Sequence, residues 1–273
     1  MKIFKFGGAS VKNAAGVKNI LNVLRYTGHE KTLIVVSAMG KTTNALEQVV
    51  QSFFDNKEMY LQDLEKVKEN HYCIIEDLFD GEKVEVNQKV TALFDGVLSF
   101  LRNTDIKEYS MIYDQVVSVG ELVSSTIISK YMNREGMENC WLDARQCIKT
   151  DTYFRDANLY WNDTEAAIEK EVDGKSTIIS QGFIGRAPNG LTTTLGREGS
   201  DYSAAIFAYA LRAESVTIWK DVPGLLNGDP RKFNDTVLLH QISYREAIEL
   251  AFYGASVIHP KTCLLYTSDA ADE

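Results

Sequence analysis

Lys31-Thr-Leu-Ile-Val-Val-Ser37 is an apolar, β-branched run with no polar alternation inside it. A strand on a half-solvated sheet alternates apolar and polar residues, whereas a run apolar at every position is the pattern of a strand covered on both faces. Such a strand needs helices above and below its sheet, which selects an α/β architecture with parallel strands. Neighbouring segments agree. Lys2-Ile-Phe-Lys-Phe6 reads as a first strand ending at Gly7-Gly8. Val17, Ile20, Leu21 and Leu24 then fall at helical spacing between Asn13 and Tyr26, with Gly28 as the stop. Strand, helix, strand in this order implies a right-handed crossover.

Short strands are expected over residues 139–143, 176–180 and 214–219, and helices over 166–172, 203–211 and 242–252. The last of these helices carries a capping box, Ser243 with Glu246 three residues on. Between about residues 46 and 110 the chain is rich in Glu, Lys, Leu and Asn and holds no proline, which predicts a helical insertion on one side of the sheet. His71 shares an apolar stripe with Ile74, Ile75 and Leu78 and is expected to be packed rather than to bind a ligand. Repeats, low-complexity tracts and linker-like stretches are missing, so a single α/β domain is expected.

A net charge of −9 argues against binding to nucleic acid or to anionic membranes. Cys73, Cys140, Cys147 and Cys263 show no metal-like spacing, and no apolar run approaches the length of a membrane span. These features predict a soluble, reduced, cytoplasmic protein.

Chemistry concentrates between Ser180 and Tyr202, where Gln181-Gly-Phe-Ile-Gly185 and Thr192-Thr-Thr-Leu-Gly-Arg-Glu-Gly-Ser-Asp201 follow a predicted strand and precede a predicted helix. Strand, glycine-rich loop and helix start suit the binding of a phosphate or carboxylate by backbone N–H groups. The loops lack a Walker A sequence, a GxGxxG fingerprint and a GxSxG elbow. Glu121, beside Gly120 in an apolar segment, is either a helix-start acid or a buried carboxylate that needs a cation. Lys220-Asp-Val-Pro-Gly through Arg231 forms a turn-rich loop at a strand's C-terminal end, the edge at which open α/β sheets bind ligands. His259, before Pro260, has no nucleophile nearby and is expected to pack or cap.

Six blocks occur in order: Lys5-Phe-Gly-Gly-Ala-Ser-Val11, Ser37-Ala-Met-Gly-Lys-Thr-Thr-Asn44, Gly120-Glu-Leu-Val-Ser124, Gln181-Gly-Phe-Ile-Gly185, Thr192 to Tyr202, and Trp219-Lys-Asp-Val-Pro-Gly224. Together they resemble the catalytic domain of the aspartate kinases, within the amino-acid kinase superfamily, over residues 1–262. The resemblance implies a three-layer α/β/α sandwich around a mainly parallel, eight-stranded sheet. It also implies transfer of the γ-phosphoryl group of Mg2+-bound ATP to the side-chain carboxylate of L-aspartate, giving 4-phospho-L-aspartate. That reaction opens the diaminopimelate, lysine, threonine and methionine pathways, and the parent enzyme would be a homo-oligomer.

By the same resemblance, Lys5 reaches the transferring phosphoryl group and Asp201 orients Lys5 or helps hold the metal. Gly7, Gly8 and Ser10 lie along the phosphates. Arg197 reads a substrate carboxylate, Glu121 meets the α-ammonium group, and Ser37 and Thr43 supply hydroxyl contacts. Lys220, Asp221, Leu226, Arg231, Ser256 and Val257 match the ATP-binding positions, where turn and capping roles compete. Metal ligands are not assigned; Mg2+ is carried with ATP. The alternatives are another superfamily kinase, acting on glutamate or N-acetylglutamate, and a catalytically dead amino-acid- or nucleotide-binding relative.

Some positions depart from the family pattern. Ala9 stands where threonine is usual, Glu198 where glycine is common, Lys220 where threonine is frequent, Leu226 where tyrosine contacts nucleotide, and Ser256 where lysine is frequent. Residues 263–273 match nothing in the family. They are expected to be an atypical tail on a C-terminally truncated catalytic domain that lacks the regulatory ACT domains.

Overall fold

The computed structural model describes residues 1–55, 58–81, 83–105 and 107–252. In chain order the elements are β1 (Lys2–Phe6), α1 (Ala14–Thr27), β2 (Thr32–Val36), α2 (Thr42–Asp55), α3 (Met59–Phe79), α4 (Val84–Asn103), α5 (Tyr109–Val117) and α6 (Val119–Arg134). There follow β3 (Cys140–Leu142), α7 (Ala144–Cys147), α8 (Trp161–Val172), β4 (Thr177–Gln181), β5 (Ile184–Arg186), β6 (Thr192–Thr194), α9 (Gly199–Ala210), β7 (Ser215–Trp219) and α10 (Tyr244–Phe252). β2, the strand predicted to be covered on both faces, is buried at all five positions. It is the middle strand of a five-stranded sheet in the order β3-β4-β2-β1-β7. All four pairings in that sheet are parallel, with Lys5 opposite Val35 and Phe6 opposite both Val36 and Trp219. The described residues thus supply five strands of the eight that the resemblance implied for the sheet.

Side-chain alternation along each strand sorts the core into two layers. Phe4, Phe6, Ile34, Val36 and Ile179 face α1 and the stack of α2 to α6. Ile3, Leu33, Val35 and Ile178 face the other way, against Ala204, Ile206 and Phe207 of α9 and Ile168 of α8. Fully burying one such aliphatic or aromatic side chain contributes about 1.5–3 kcal/mol, so both layers are needed to hold the sheet. The architecture is a three-layer α/β/α sandwich around a parallel sheet.

Local signals explain the element ends. Asn13 caps α1 through its side chain, which accepts from Gly16 N at 3.0 Å, and Gly28 follows at φ 80. Ser243 and Glu246 exchange both bonds of the predicted capping box. His71 is buried within α3, its Nδ1 2.7 Å from the Val67 carbonyl, as its apolar stripe suggested. Burial lowers its pKa and holds the ring neutral.

The loop expected between residue 180 and α9 is not simply a loop. β5 and β6 pair there as an antiparallel hairpin, Gly185 opposite Thr193. Asn189-Gly190 sits in the turn, with Gly190 at φ 84, and this is a standard hairpin signal that strand-loop-helix reading passed over. α9 also begins at Gly199, four residues before the predicted start at 203, because Asp201 supplies an acid to its first turn. Among the described residues no helix is long and apolar enough to cross a membrane.

Candidate active site

Lys5 is on the same side of β1 as Ile3, and therefore points toward α9 rather than toward the α1 layer. Only 5% exposed, it meets Asp201 in the first turn of α9, with Lys5 Nζ 2.6 Å from Asp201 Oδ1. Asp201 Oδ2 lies 2.9 Å from Nζ of Lys220, the first residue beyond β7. One buried carboxylate therefore clamps two ammonium groups delivered by neighbouring parallel strands. Burial lowers the pKa of Lys5, and the charge and hydrogen bonding of Asp201 oppose that shift.

The clamp forms one wall of a cavity of about 500 Å³ at the C-terminal edge of the sheet. Gly8 shapes its base: a β-carbon there would lie 2.8 Å from the Ala38 carbonyl oxygen, so only glycine lets the β1 exit nest against the β2 exit. Gly182 plays the same part at the β4 exit, where a β-carbon would fall 2.5 Å from Ser200 Cβ in α9. Ser37 and Thr43 line the cavity from the β2 exit and the start of α2.

Glu121 enters from the first turn of α6 and is 2% exposed. Its Oε1 accepts from Ala38 N at 3.2 Å, while Oε2 is buried without a hydrogen-bond partner. Burial pushes its carboxyl up to about 8, against the opposing Ala38 N–H bond. Glu121 is therefore both a helix-start acid and a buried carboxylate short of one donor, and the two readings of the sequence merge.

Two guanidinium groups line the same cavity, and one of them, Arg155, also pairs with Glu47 at 3.6 Å. Arg197 is exposed in the cavity wall on the turn before α9 and forms no ion pair among the described residues. Arg155 lies on the connection between α7 and α8, which the sequence marked only as polar. Its backbone adopts φ 72, its N–H donates to Asp114 Oδ2 at 3.1 Å, and its guanidinium lies 4.4 Å from the Tyr113 ring centroid. Asp114 is fully buried and also accepts from Thr194 N and Thr194 Oγ1, both at 2.8 Å, which ties the β5–β6 hairpin to α5 beside Arg155. Tyr113 and Phe183 complete the apolar part of the wall. No periodicity could have flagged Arg155; the residual signal is an arginine in a polar loop, the segment type that carries function on rigid scaffolds.

The cavity thus gathers Lys5, Ser37, Thr43, Glu121, Arg197, Asp201 and Lys220 from the sequence-derived set, with Gly8 at the base and Gly7 beside Lys5 Nζ. Ser10 is outside the lining and donates its hydroxyl to the Trp219 carbonyl at 3.4 Å. Asp221, Leu226 and Arg231 lie on the loop beyond β7, outside the lining, where Arg231 holds Asp229 in a two-point ion pair at 3.0 and 3.1 Å. Ser256, Val257 and His259 lie outside the described residues, as does the tail at 263–273. Among the described residues no three His, Cys, Asp or Glu side chains form a metal cage. One orphaned atom does fit a cation carried in by a ligand: Glu198 Oε2 is buried without a partner beside the clamp.

Comparison with known proteins fits this arrangement. The chain is 34% identical over 270 residues to the chloroplastic bifunctional aspartokinase/homoserine dehydrogenase 2 of Arabidopsis thaliana, covering 96% of this chain and 29% of that protein. It is 30% identical over 268 residues to lysine-sensitive aspartokinase 3 of Escherichia coli, covering 96% of this chain and 58% of that protein. The chain spans less than two thirds of the length of either relative. Among solved structures, E. coli aspartokinase III in complex with aspartate and ADP superposes with a TM-score of 0.89 at 28% identity, over 98% of this chain and 60% of that one. The family model for the amino acid kinase family matches residues 1–269, and with the parallel sheet and the lysine clamp at its C-terminal edge, this places the chain in the amino acid kinase family.

Proposed function

We propose that this chain transfers the γ-phosphoryl group of ATP to the side-chain carboxylate of L-aspartate, forming 4-phospho-L-aspartate. The observation that carries the reading is the placement of the Lys5–Asp201–Lys220 clamp and the unpartnered Glu121 carboxylate in one cavity. Further support comes from the likeness to the aspartokinase solved with aspartate and ADP.

The acceptor carboxylate has an unperturbed pKa of about 3.9, so it is ionised at neutral pH and needs no general base. The reaction needs two anions held in line and their charge offset as the phosphoryl group moves. Lys5 and Lys220 supply fixed positive charge beside the phosphate oxygens that carry the negative charge, and Asp201 keeps both ammonium groups aimed without reorganisation. Arg197, planar and able to bond two oxygens at once, binds the acceptor's α-carboxylate, with Arg155 on the same side. Glu121 takes the α-ammonium, and Ser37 and Thr43 orient the backbone end of the amino acid. Mg2+, when bound with the nucleotide, offsets phosphate charge and aligns the phosphates. The loop of Lys220, Asp221, Leu226 and Arg231 leads away from the clamp and is assigned to the nucleotide side. A catalytic domain at 1–262 with a helical insertion, in a homo-oligomeric parent, is part of the same proposal.

Acyl-phosphate formation trapped as the hydroxamate with hydroxylamine, with ADP release followed in parallel, tests it. The expected result is product with L-aspartate and none above background with L-glutamate or N-acetyl-L-glutamate. Turnover of either alternative in preference to aspartate would replace the substrate, and nucleotide binding without turnover of any acceptor would replace the reaction.

A further inference from the structure

Glu198 has a backbone that its side chain does not favour. It sits between Gly196 at φ 78 and the start of α9, with φ 54 and ψ 26, the left-handed region that residues bearing a β-carbon avoid. Glycine, frequent at the matching family position, would take this conformation without strain. An acid held here calls for a role, and the ordinary one is missing. Glu198 occupies the N-cap position of α9, yet its side chain makes no capping bond. Its Oε2 is buried with no partner, although Lys5 lies near enough for its charge to act on that ammonium.

The fixed charges around the cavity leave only one kind of partner for it. Asp201 already occupies Lys5 and Lys220. In the proposed reaction the single ammonium of the acceptor is matched by Glu121 and its α-carboxylate by Arg197, while Arg155 pairs with Glu47 at 3.6 Å. The remaining positive species in a phosphoryl transfer is the divalent cation on the nucleotide phosphates. Mg2+ keeps several waters and is bound by one or two carboxylates plus substrate phosphates. That suits a site where Glu198 is the acid left after these pairings and where, among the described residues, no three ligand side chains form a cage.

We infer that Glu198 is a ligand, directly or through one water, for the divalent cation that enters with the nucleotide phosphates, while Asp201 acts as the holder of the two lysines. This rests on the phosphoryl-transfer reading above. The test is binding rather than turnover. ADP is titrated into the chain by calorimetry in EDTA and in saturating Mg2+, and Mn2+ binding in the presence of ADP is read from the loss of the free-ion electron paramagnetic resonance signal. Glu198→Gln keeps the backbone strain and removes the charge; Glu198→Gly removes both. Both variants are expected to bind metal-free ADP as wild type does and to need about tenfold more Mn2+ to half-saturate the ADP complex. Glu198→Gly should also melt at or above the wild-type temperature, which separates a lost ligand from a damaged fold. An unchanged Mn2+ requirement in Glu198→Gln, with ADP still bound, overturns this assignment alone. Failure of the wild-type chain to bind ADP in either buffer overturns the phosphoryl-transfer reading together with it.

Discussion

Glu121→Gln is the substitution that most sharply tests how the cavity recognises its acceptor. In the free protein the Glu121 carboxyl is pushed up to about 8 by burial, from an ordinary value of 4.5. Between those values the folded chain binds a proton that the unfolded chain has released. Stability therefore falls as pH rises through this window, by about 1.4 kcal/mol per pH unit and on the order of 5 kcal/mol across it. An ammonium placed against Oε2 reverses the preference, because the ionised carboxylate then has a partner. Aspartate binding should accordingly release the Glu121 proton, and the KM for aspartate should fall about tenfold between pH 6 and pH 7 and level off above pH 8. Glutamine cannot ionise. In Glu121→Gln the KM should be flat over this range, and at pH 8.5 it should exceed the wild-type value by about 10- to 150-fold, the worth of one hydrogen bond to a charged group. kcat should change little, since the ammonium is remote from the reacting carboxylate. Hydroxamate formation at varied aspartate, repeated at several pH values, measures both quantities, and urea denaturation of the free proteins measures the stability slope. A wild-type KM independent of pH from 6 to 8, or a Glu121→Gln variant that retains the wild-type KM at pH 8.5, would refute the reasoning.

Lys5→Met removes one arm of the clamp but leaves Lys220 paired with Asp201, so circular dichroism should be unchanged while kcat falls by about 10³-fold or more; retained turnover would remove Lys5 from the mechanism. Arg197→Lys keeps the charge but loses the two-point fork, and should raise the aspartate KM about tenfold with kcat within a factor of about two; an unchanged KM would place the α-carboxylate elsewhere. Asp114→Asn puts an amide where Asp114 accepts from Arg155 N, Thr194 N and the Thr194 hydroxyl, leaving a buried donor unpaired. The expected cost is about 1–3 kcal/mol, or a melting temperature lower by several degrees, at about 2–4 °C per kcal/mol for a domain of this size. Burial pushes the Asp114 carboxyl up to about 6, so its contribution to wild-type stability declines as pH rises from 3.8 toward 6, and Asp114→Asn should lack that slope.

The centre of the sheet was legible because β2 and β4 are buried at every position, and continuous apolar runs survive any detail of packing. β7, half-buried at the edge, was legible from its β-branched residues. Residues 2–6, 31–37, 176–180 and 214–219 predict β1, β2, β4 and β7 to within about two residues at each end. Helical periodicity likewise marked α3, although its two apolar patches, at residues 60–67 and 71–78, belong to one helix from Met59 to Phe79. The β5–β6 hairpin was missed because strands of three residues give almost no alternation to read, and only Asn189-Gly190 betrays the turn. In the cavity, Lys5, Glu121 and Asp201 stood out through the motifs in which they occur. Arg155 did not, since what fixes it is Asp114, 41 positions away in sequence, through one N–H bond. The exposed loop beyond β7 shows the opposite limit. Asp221, Leu226 and Arg231 were legible as loop residues, yet nothing in the described chain draws them to the clamp.

The charges of the cavity also suggest an order of events. With Glu121 protonated at neutral pH, Lys5, Lys220, Arg155 and Arg197 outweigh Asp201, Glu198 and the Glu47 carboxylate paired with Arg155, by four charges to three, and the site attracts anions. Both substrates of the proposed reaction are anionic, and in isolation they repel each other. An acceptor that brings its own ammonium ionises Glu121 as it binds, so the excess positive charge shrinks once its carboxylates are seated. The remaining excess lies at the clamp, where Lys5 and Lys220 share the one carboxylate of Asp201. That is where phosphate charge must be offset. An acceptor lacking the ammonium would leave Glu121 neutral and its buried Oε2 without a partner, and would gain no ion pair there. On the proposed reading, selectivity for a free α-amino acid would follow from the placement of one acid in the first turn of α6, with no added bulk needed to exclude N-acylated competitors.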